Sequence, residues 1–332
     1  MAHNIEKNDA LAFTGSRQRI WHGIGEQIPE GLSAQEAFEK IGLGWKTKLR
    51  PVFCLSNDLE MVPCDGHMMH VRSDNGLQLG MVTDGYRPFE NQDLARFADL
   101  LAGEDAAVTV STAGSLFNCR RVFALVKLPE VIRATSEDIS ELYILCSNGH
   151  GGFASFSVYP TSVRVVCANT LRMSERDAGK GISFRHTGDF SEKVKMARLV
   201  LGTAKQETQR FQEQVNALVG CNLSVGQARE FMNQAWEIAF GKLDNVRRED
   251  LPKMLAKRDV MVEEWLGMME NERNSMPGIK GTLWSALNAV TEYHDHERGR
   301  FKPESEARLH SNLFGVSALA KRRTLRAALQ LV

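Results

Sequence analysis

The chain has 332 residues, long enough for about two domains and a sizeable buried core. Its 43% hydrophobic and 25% charged residues, with 27 glycines and only 9 prolines, exclude wholesale disorder and collagen-like or low-complexity sequence. Lys plus Arg equals Asp plus Glu at 41 each, so no net charge announces a nucleic-acid binder, although a basic face fits inside a neutral total.

No stretch reaches the ~18 apolar residues of a membrane span, and Met1 to Asp9 is charged where a leader would be apolar. These features predict a cytoplasmic protein with no membrane partner. The first 44 residues hold Trp21-His22-Gly23-Ile24-Gly25 and then Ser33-Ala34-Gln35-Glu36. The latter is a capping box, which predicts a short helix through Ala37 and Ile41 that Gly42 and Gly44 end. From residue 45 to 187 short apolar runs alternate with turn signals. The runs are Val52–Leu55, Met68–Arg72, Leu77–Thr83, Arg121–Lys127, Leu142–Ser147, Phe153–Tyr159, Ser162–Cys167 and Ile182–Thr187. They predict a mostly antiparallel sheet domain. One helix interrupts it, capped by Asn91 and carried by Leu94, Phe97, Ala98 and Leu101 up to Gly103.

From residue 188 to 332 helical periodicity takes over. Val194, Ala197, Leu201, Ala204, Thr208, Phe211, Val215 and Leu218 alternate by three and four, a coiled-coil-type seam that either packs within the chain or joins a second subunit. Ser224-Val225-Gly226-Gln227 opens the next helix, through Phe231, Ala235 and Ile238 to Gly241. Further helices are predicted over Val260–Met269, over Gly281–His294 and from Val316. The fold class is therefore α+β, with an N-terminal segment, a β-rich domain and a helical domain.

The six cysteines (Cys54, Cys64, Cys119, Cys146, Cys167, Cys221) include no C-x-x-C pair, so most are expected as reduced core thiols. Walker, dinucleotide-fingerprint, H-E-x-x-H and G-x-S-x-G signatures are absent, so neither catalysis nor a cofactor or metal is expected. Cys146 and His150 suggest a nucleophile pair, but a tight loop explains the Gly149-His150-Gly151-Gly152 run without chemistry and is the expected reading. Glu292 and His296 share a helical face as metal ligands do, but without an obvious third ligand they read as a last-turn charge pair. Asn288, beside Trp284, reads as a buried anchor of the helical domain.

Several stretches resemble one family. They are Trp21-His22-Gly23, Thr83-Asp84-Gly85-Tyr86-Arg87-Pro88-Phe89-Glu90-Asn91, Thr112-Ala113-Gly114-Ser115-Leu116, Val163 to Leu171, Arg185-His186-Thr187 and Gly281 to Tyr293. In this order the chain resembles the bacterial phage/plasmid-like proteins grouped as domain of unknown function 932. It departs from the family pattern at Glu90, where Gln is more usual, and at Gly151, where an acidic residue is expected after His150. The resemblance implies a setting on bacterial mobile elements beside replication and recombination functions. A sheet core followed by helices is also similar, at fold level, to phage single-strand annealing proteins.

Charge gives the candidate site. Residues 164 to 198 carry eight basic and four acidic side chains, a local charge of +4. Arg164, Arg172, Arg185, His186, Lys193 and Lys195 are the candidates there for phosphate contact, beside the bland alternative of a solvated sheet face. Arg120 and Arg121 open a strand, so one is expected to join that surface and the other to point away. Lys321-Arg322-Arg323 and Arg326 form a basic tail suited either to phosphates or to a helix C-terminus. Tyr86, Phe89, Phe153 and Tyr159 are candidates for stacking on bases. The expected function is single-stranded-DNA binding of strand-annealing type, by a homo-oligomer without nucleotide or metal. The alternative is a mobile-element protein-interaction module without nucleic-acid binding.

Overall fold

The computed structural model describes residues 9–14, 26–102, 109–164, 170–172, 182–184, 190–299 and 305–332. The strands are β1 (Leu11–Thr14), β2 (Glu26–Ile28), β3 (Thr47–Leu55), β4 (Met61–Arg72), β5 (Gln78–Thr83), β6 (Thr109–Leu116), β7 (Arg121–Arg133), β8 (Ile139–Gly149), β9 (Phe156–Arg164), β10 (Thr170–Arg172) and β11 (Ile182–Phe184). Two helices lie among them, α1 (Ala34–Lys40) before β3 and α2 (Asn91–Ala102) before β6. Then come α3 (Phe190–Gly220), α4 (Val225–Phe240), α5 (Leu251–Met269), α6 (Leu283–Glu292), a π-helical stretch (Tyr293–Glu297), α7 (Glu306–Leu313) and α8 (Val316–Ala328).

One sheet runs in the order β10-β9-β8-β7-β6-β1-β2, with β11 also on β9, and β3-β4-β5 form a second. β1 and β2 pair in parallel. The pairs β1–β6, β6–β7, β9–β10, β9–β11, β3–β4 and β4–β5 are antiparallel. The fold is α+β with mostly antiparallel sheets followed by helices, as the alternation of runs and turns predicts.

Phe153–Tyr159 and Ser162–Cys167, read as two strands, are joined in β9, which ends at Arg164. Pro160 sits inside β9 between the stretch paired with β11 and the stretch paired with β10, where its missing N–H breaks neither ladder. β6 has no counterpart among the predicted strands, because Thr109, Ser111, Thr112, Ala113, Gly114 and Ser115 form no apolar run. Yet most of its side chains are buried, since small residues suit the close approach of β1: a Cβ on Gly114 would stand 2.8 Å from the Ala10 carbonyl.

The chain divides into two compact units, one of residues 1–129, 143–159 and 180–203, the other of 130–142, 160–179 and 204–332. In the first, Leu94, Phe97, Ala98 and Leu101 of α2 are buried as their spacing predicts. The Phe156 ring lies 4.8 Å from Phe89 and 5.0 Å from Phe97, and each buried phenyl contributes roughly 1.5–3 kcal/mol. Ser33 caps α1 with the capping box completed by Glu36. In the second unit α4 packs on α5, α6 and α8, and Trp236, Trp265, Leu283, Leu287 and Val290 are buried. Thr208, Phe211, Val215 and Leu218 of the α3 seam are buried there too. Ser224 and Gln227 form the second expected capping box.

Among the described residues no helix is long and apolar enough to cross a membrane. The expectation of core thiols holds for Cys119 and Cys146, but Cys54 is exposed and Cys64 and Cys221 are half-buried. The first two of these three lie on the part of the β3–β4 hairpin that extends from the core, where apolar residues stay in solvent.

Candidate nucleic-acid interface

The site begins at the turn from β6 to β7. Phe117, Asn118 and Cys119 all have left-handed backbone, with φ of 58°, 53° and 64°. For non-glycine residues that costs roughly 1–2 kcal/mol each. The carboxylate of Asp9 offsets the cost by accepting the N–H groups of Asn118 and Cys119, both at 2.6 Å. Successive amides curled around one anion form a nest.

This turn overturns the expectation that Arg120 and Arg121 diverge. Strand alternation starts only at Arg121, and Arg120 belongs to the turn, its N–H donating to the Phe117 carbonyl at 3.2 Å. Both guanidinium groups therefore lie by one ring: Cζ of Arg120 is 4.7 Å and Cζ of Arg121 5.5 Å from the Phe153 centroid. Phe117 adds a second ring 5.3 Å from Phe153, tilted by 47°. All four side chains are half-buried, so each keeps a solvent-facing part.

Phe153 is placed by the loop after β8. The His150 N–H donates to the Arg120 carbonyl at 2.8 Å, and the Phe153 N–H donates to the His150 carbonyl at 3.0 Å. Two buried imidazoles hold the loop from beneath. The Gly151 N–H donates to Nδ1 of His70 at 3.0 Å, so that nitrogen carries no proton. The Asn91 Nδ2 group donates to the Leu43 carbonyl, which leaves its Oδ1 to accept from Nε2 of His150 at 2.8 Å. The Trp45 ring is 5.1 Å from His150 and carries the Arg72 guanidinium at 4.6 Å on its face. Arg72 also donates to Cys119 Sγ at 3.3 Å and binds Asp74 at 2.6 Å. This support is buried and hydrogen-bonded, and Asn91 and His150 serve it as scaffolding.

That role removes the nucleophile reading of Cys146 and His150. Burial pushes the Cys146 thiol far up, and the ring of His150 is committed to Asn91. The metal reading of Glu292 and His296 also fails. Glu292 is buried and accepts from Asn271, Arg273 and Asn274, and the π-helical stretch that begins after it breaks the expected spacing. No group of three or more His, Cys, Asp or Glu arranged for a metal exists among the described residues. Asn288 is buried and donates to the Trp284 carbonyl at 2.9 Å, an anchor as expected.

The remaining basic candidates fall on several elements. Arg164 ends β9, Arg172 ends β10, Lys193 falls in the first turn of α3, and Lys195 is exposed on α3. Arg185 and His186 lie outside the described residues. In the C-terminal tail Lys321 is withdrawn from any phosphate, because it is buried and paired with Asp295. Arg326 occupies the last turn of α8, where the helix dipole favours it. Of the aromatic candidates, Phe89 is core. Tyr86 packs 5.3 Å from His70, and burial, with the nearby Glu90 charge, pushes its hydroxyl up to about 12. Nothing in the sequence marks Phe117 for this site, since no local pattern places a phenylalanine in a left-handed turn.

No curated protein and no solved structure matches the chain significantly. The family model described as Domain of unknown function (DUF932) matches residues 78–314, which contain the left-handed turn, both arginines, Phe153 and the Asn91–His150 pair. The chain belongs to that family, as the order of its motifs along the sequence implied.

Proposed function

We propose that this protein binds single-stranded DNA, with Arg120, Arg121, Phe117 and Phe153 as the contact point. The observation that carries the reading is the convergence of two guanidinium groups and two half-buried phenyl rings on one spot, over a hydrogen-bonded loop. The guanidinium groups supply charge-assisted contacts to phosphate, and the rings supply sequence-tolerant stacking worth roughly 1–3 kcal/mol per base. Lys195, exposed on α3, adds positive charge, and self-association extends the surface in a strand-annealing role. The mobile-element setting implied by the family resemblance fits such a role.

The test is fluorescence anisotropy of a labelled oligothymidylate at ~50 and ~200 mM salt. Micromolar or tighter binding that weakens steeply with salt is expected. Arg120→Ala with Arg121→Ala should flatten the salt slope, and Phe153→Ala should weaken binding with the slope kept. Unchanged affinity in the double arginine variant sinks the reading.

One observation favours a second reading, a protein-interaction module without nucleic-acid binding. Phe53, Leu55, Leu59, Met61 and Val62 are exposed together on the β3–β4 hairpin, with Leu59 77% and Met61 73% accessible. Size-exclusion light scattering shows whether a second copy of the chain covers them, and a strict monomer without DNA affinity removes the DNA reading and leaves a different protein as their partner.

A further inference from the structure

The same hairpin carries two cysteines that neither reading uses. Cys54 on β3 is exposed and Cys64 on β4 is half-buried. Cys54 stands opposite Val62 in the ladder, and alternation along β4 puts Val62 and Cys64 on one face. Cys54 and Cys64 are thus diagonal neighbours across two strands.

On a regular ladder such a diagonal is about 7 Å or more, at the limit for a disulfide. Here the ladder is irregular: the register slips between Pro51 and Phe53, so that the stretch from Cys64 to His67 bulges opposite Val52, with Gly66 at φ 74° inside it. Cys64, at the start of this bulge, is therefore not held to the regular ladder spacing beside Cys54. A hydrogen bond to Cys54, then partial desolvation and the charges of Cys54 and Asp65, push the Cys64 thiol up. Cys119 and Cys146 are buried, so this pair is the accessible dithiol of the first unit among the described residues.

We propose that Cys54 and Cys64 form a redox-modification site, closed into a cross-strand disulfide by exchange with a small disulfide such as glutathione disulfide. Cys54, the more exposed sulfur, attacks as thiolate, forms a bond to one glutathione sulfur and releases the other glutathione as thiol. Cys64 then loses its proton, attacks the Cys54 sulfur and expels the second glutathione, which takes the proton up. Two protein thiols are oxidised and one glutathione disulfide is reduced to two thiols. The exposed hairpin end absorbs the small backbone shift that closure needs.

The full chain is incubated with glutathione disulfide, remaining thiols are trapped with iodoacetamide, and peptides are mapped without reduction. The expected result is loss of alkylation at both Cys54 and Cys64, with one peptide pair joined through them. In Cys64→Ser, Cys54 should instead retain a stable glutathione, because no resolving thiol remains. Circular dichroism confirms that the variant, altered at the hairpin surface, keeps the fold. Free alkylation of both cysteines in the wild type overturns the proposal, as does a separate glutathione on each.

Discussion

Lys321 and Asp295 form an ion pair in which each side chain is only 2% exposed. The Thr170 N–H also donates to the Asp295 carboxylate, at 2.7 Å, and the Lys321 ammonium donates to the Thr170 hydroxyl at 2.8 Å. Charges buried so deeply are tolerated because each satisfies the other. Removing one leaves its partner stranded, so Asp295→Ala should cost about 3–5 kcal/mol, measured by urea unfolding. Lys321→Met combined with Asp295→Leu should cost less than Asp295→Ala alone, and a larger cost would show the pair to be a net stabiliser.

A Cβ on Gly80 would stand 2.3 Å from the Gly151 carbonyl oxygen, and one on Gly151 would stand 2.3 Å from that of Leu79. Both glycines also have positive φ. Gly151→Ala should therefore displace the loop that places Phe153. A fall in melting temperature accompanied by weaker oligonucleotide binding is expected; a melting temperature equal to wild type would contradict the close approach.

Glu90 accepts from the Thr47 N–H at 3.0 Å and from the Thr47 hydroxyl at 2.7 Å. Burial nonetheless outweighs these bonds and raises its carboxyl above the ordinary range. A carboxyl raised on folding penalises the fold at every pH where it must ionise and costs nothing once protonated. Glu90→Gln should add roughly half a kcal/mol near neutrality, after allowance for solvent screening at a half-buried site. The gain should vanish below the ordinary carboxylate range, as thermal melts across pH will show.

His294 is buried, and desolvation with the charges of Arg298 and Lys321 lowers its pKa to about 3. The folded chain keeps it neutral while the unfolded chain protonates it near 6.5. Its contribution is complete above that value and is lost as pH falls from about 6.5 toward 3, at up to about 1.4 kcal/mol per pH unit. His294→Gln should flatten this part of the stability–pH profile in chemical unfolding, and an unchanged slope would contradict the assignment.

Elements that bury a stripe of large apolar residues were legible. α2 and the described part of the α3 seam read directly from their spacing, and both capping boxes read from Ser33 and Ser224. Strands that bury small residues, or none, were not. β6 hides behind Gly114 and Ser115, and the outer half of β4, with Pro63 and Asp65, faces solvent and gives no apolar run.

The candidate site was legible in composition and not in arrangement. Arg120, Arg121 and Phe153 were each visible as residues, but their convergence depends on three left-handed residues of which only Asn118 is of a type that favours this conformation. The anion that steadies the turn, Asp9, lies too far away in sequence for any local pattern to connect it. Lys321 shows the converse: a basic run reads as surface until the fold supplies a buried carboxylate from another helix.

The interleaving of the two units constrains how the chain is made. Leu11 leaves the ribosome long before Gly114, its partner across β1 and β6. No contiguous piece holds one unit alone: residues 1–203 complete the first but carry segments 130–142 and 160–179 of the second. Until the last helix is synthesised, Leu171 in the second of those segments waits without α8, which packs on β10. The nascent protein thus carries apolar, half-assembled surface until synthesis is nearly complete, and its yield in the cell should depend on holdase chaperones more than its final stability would suggest.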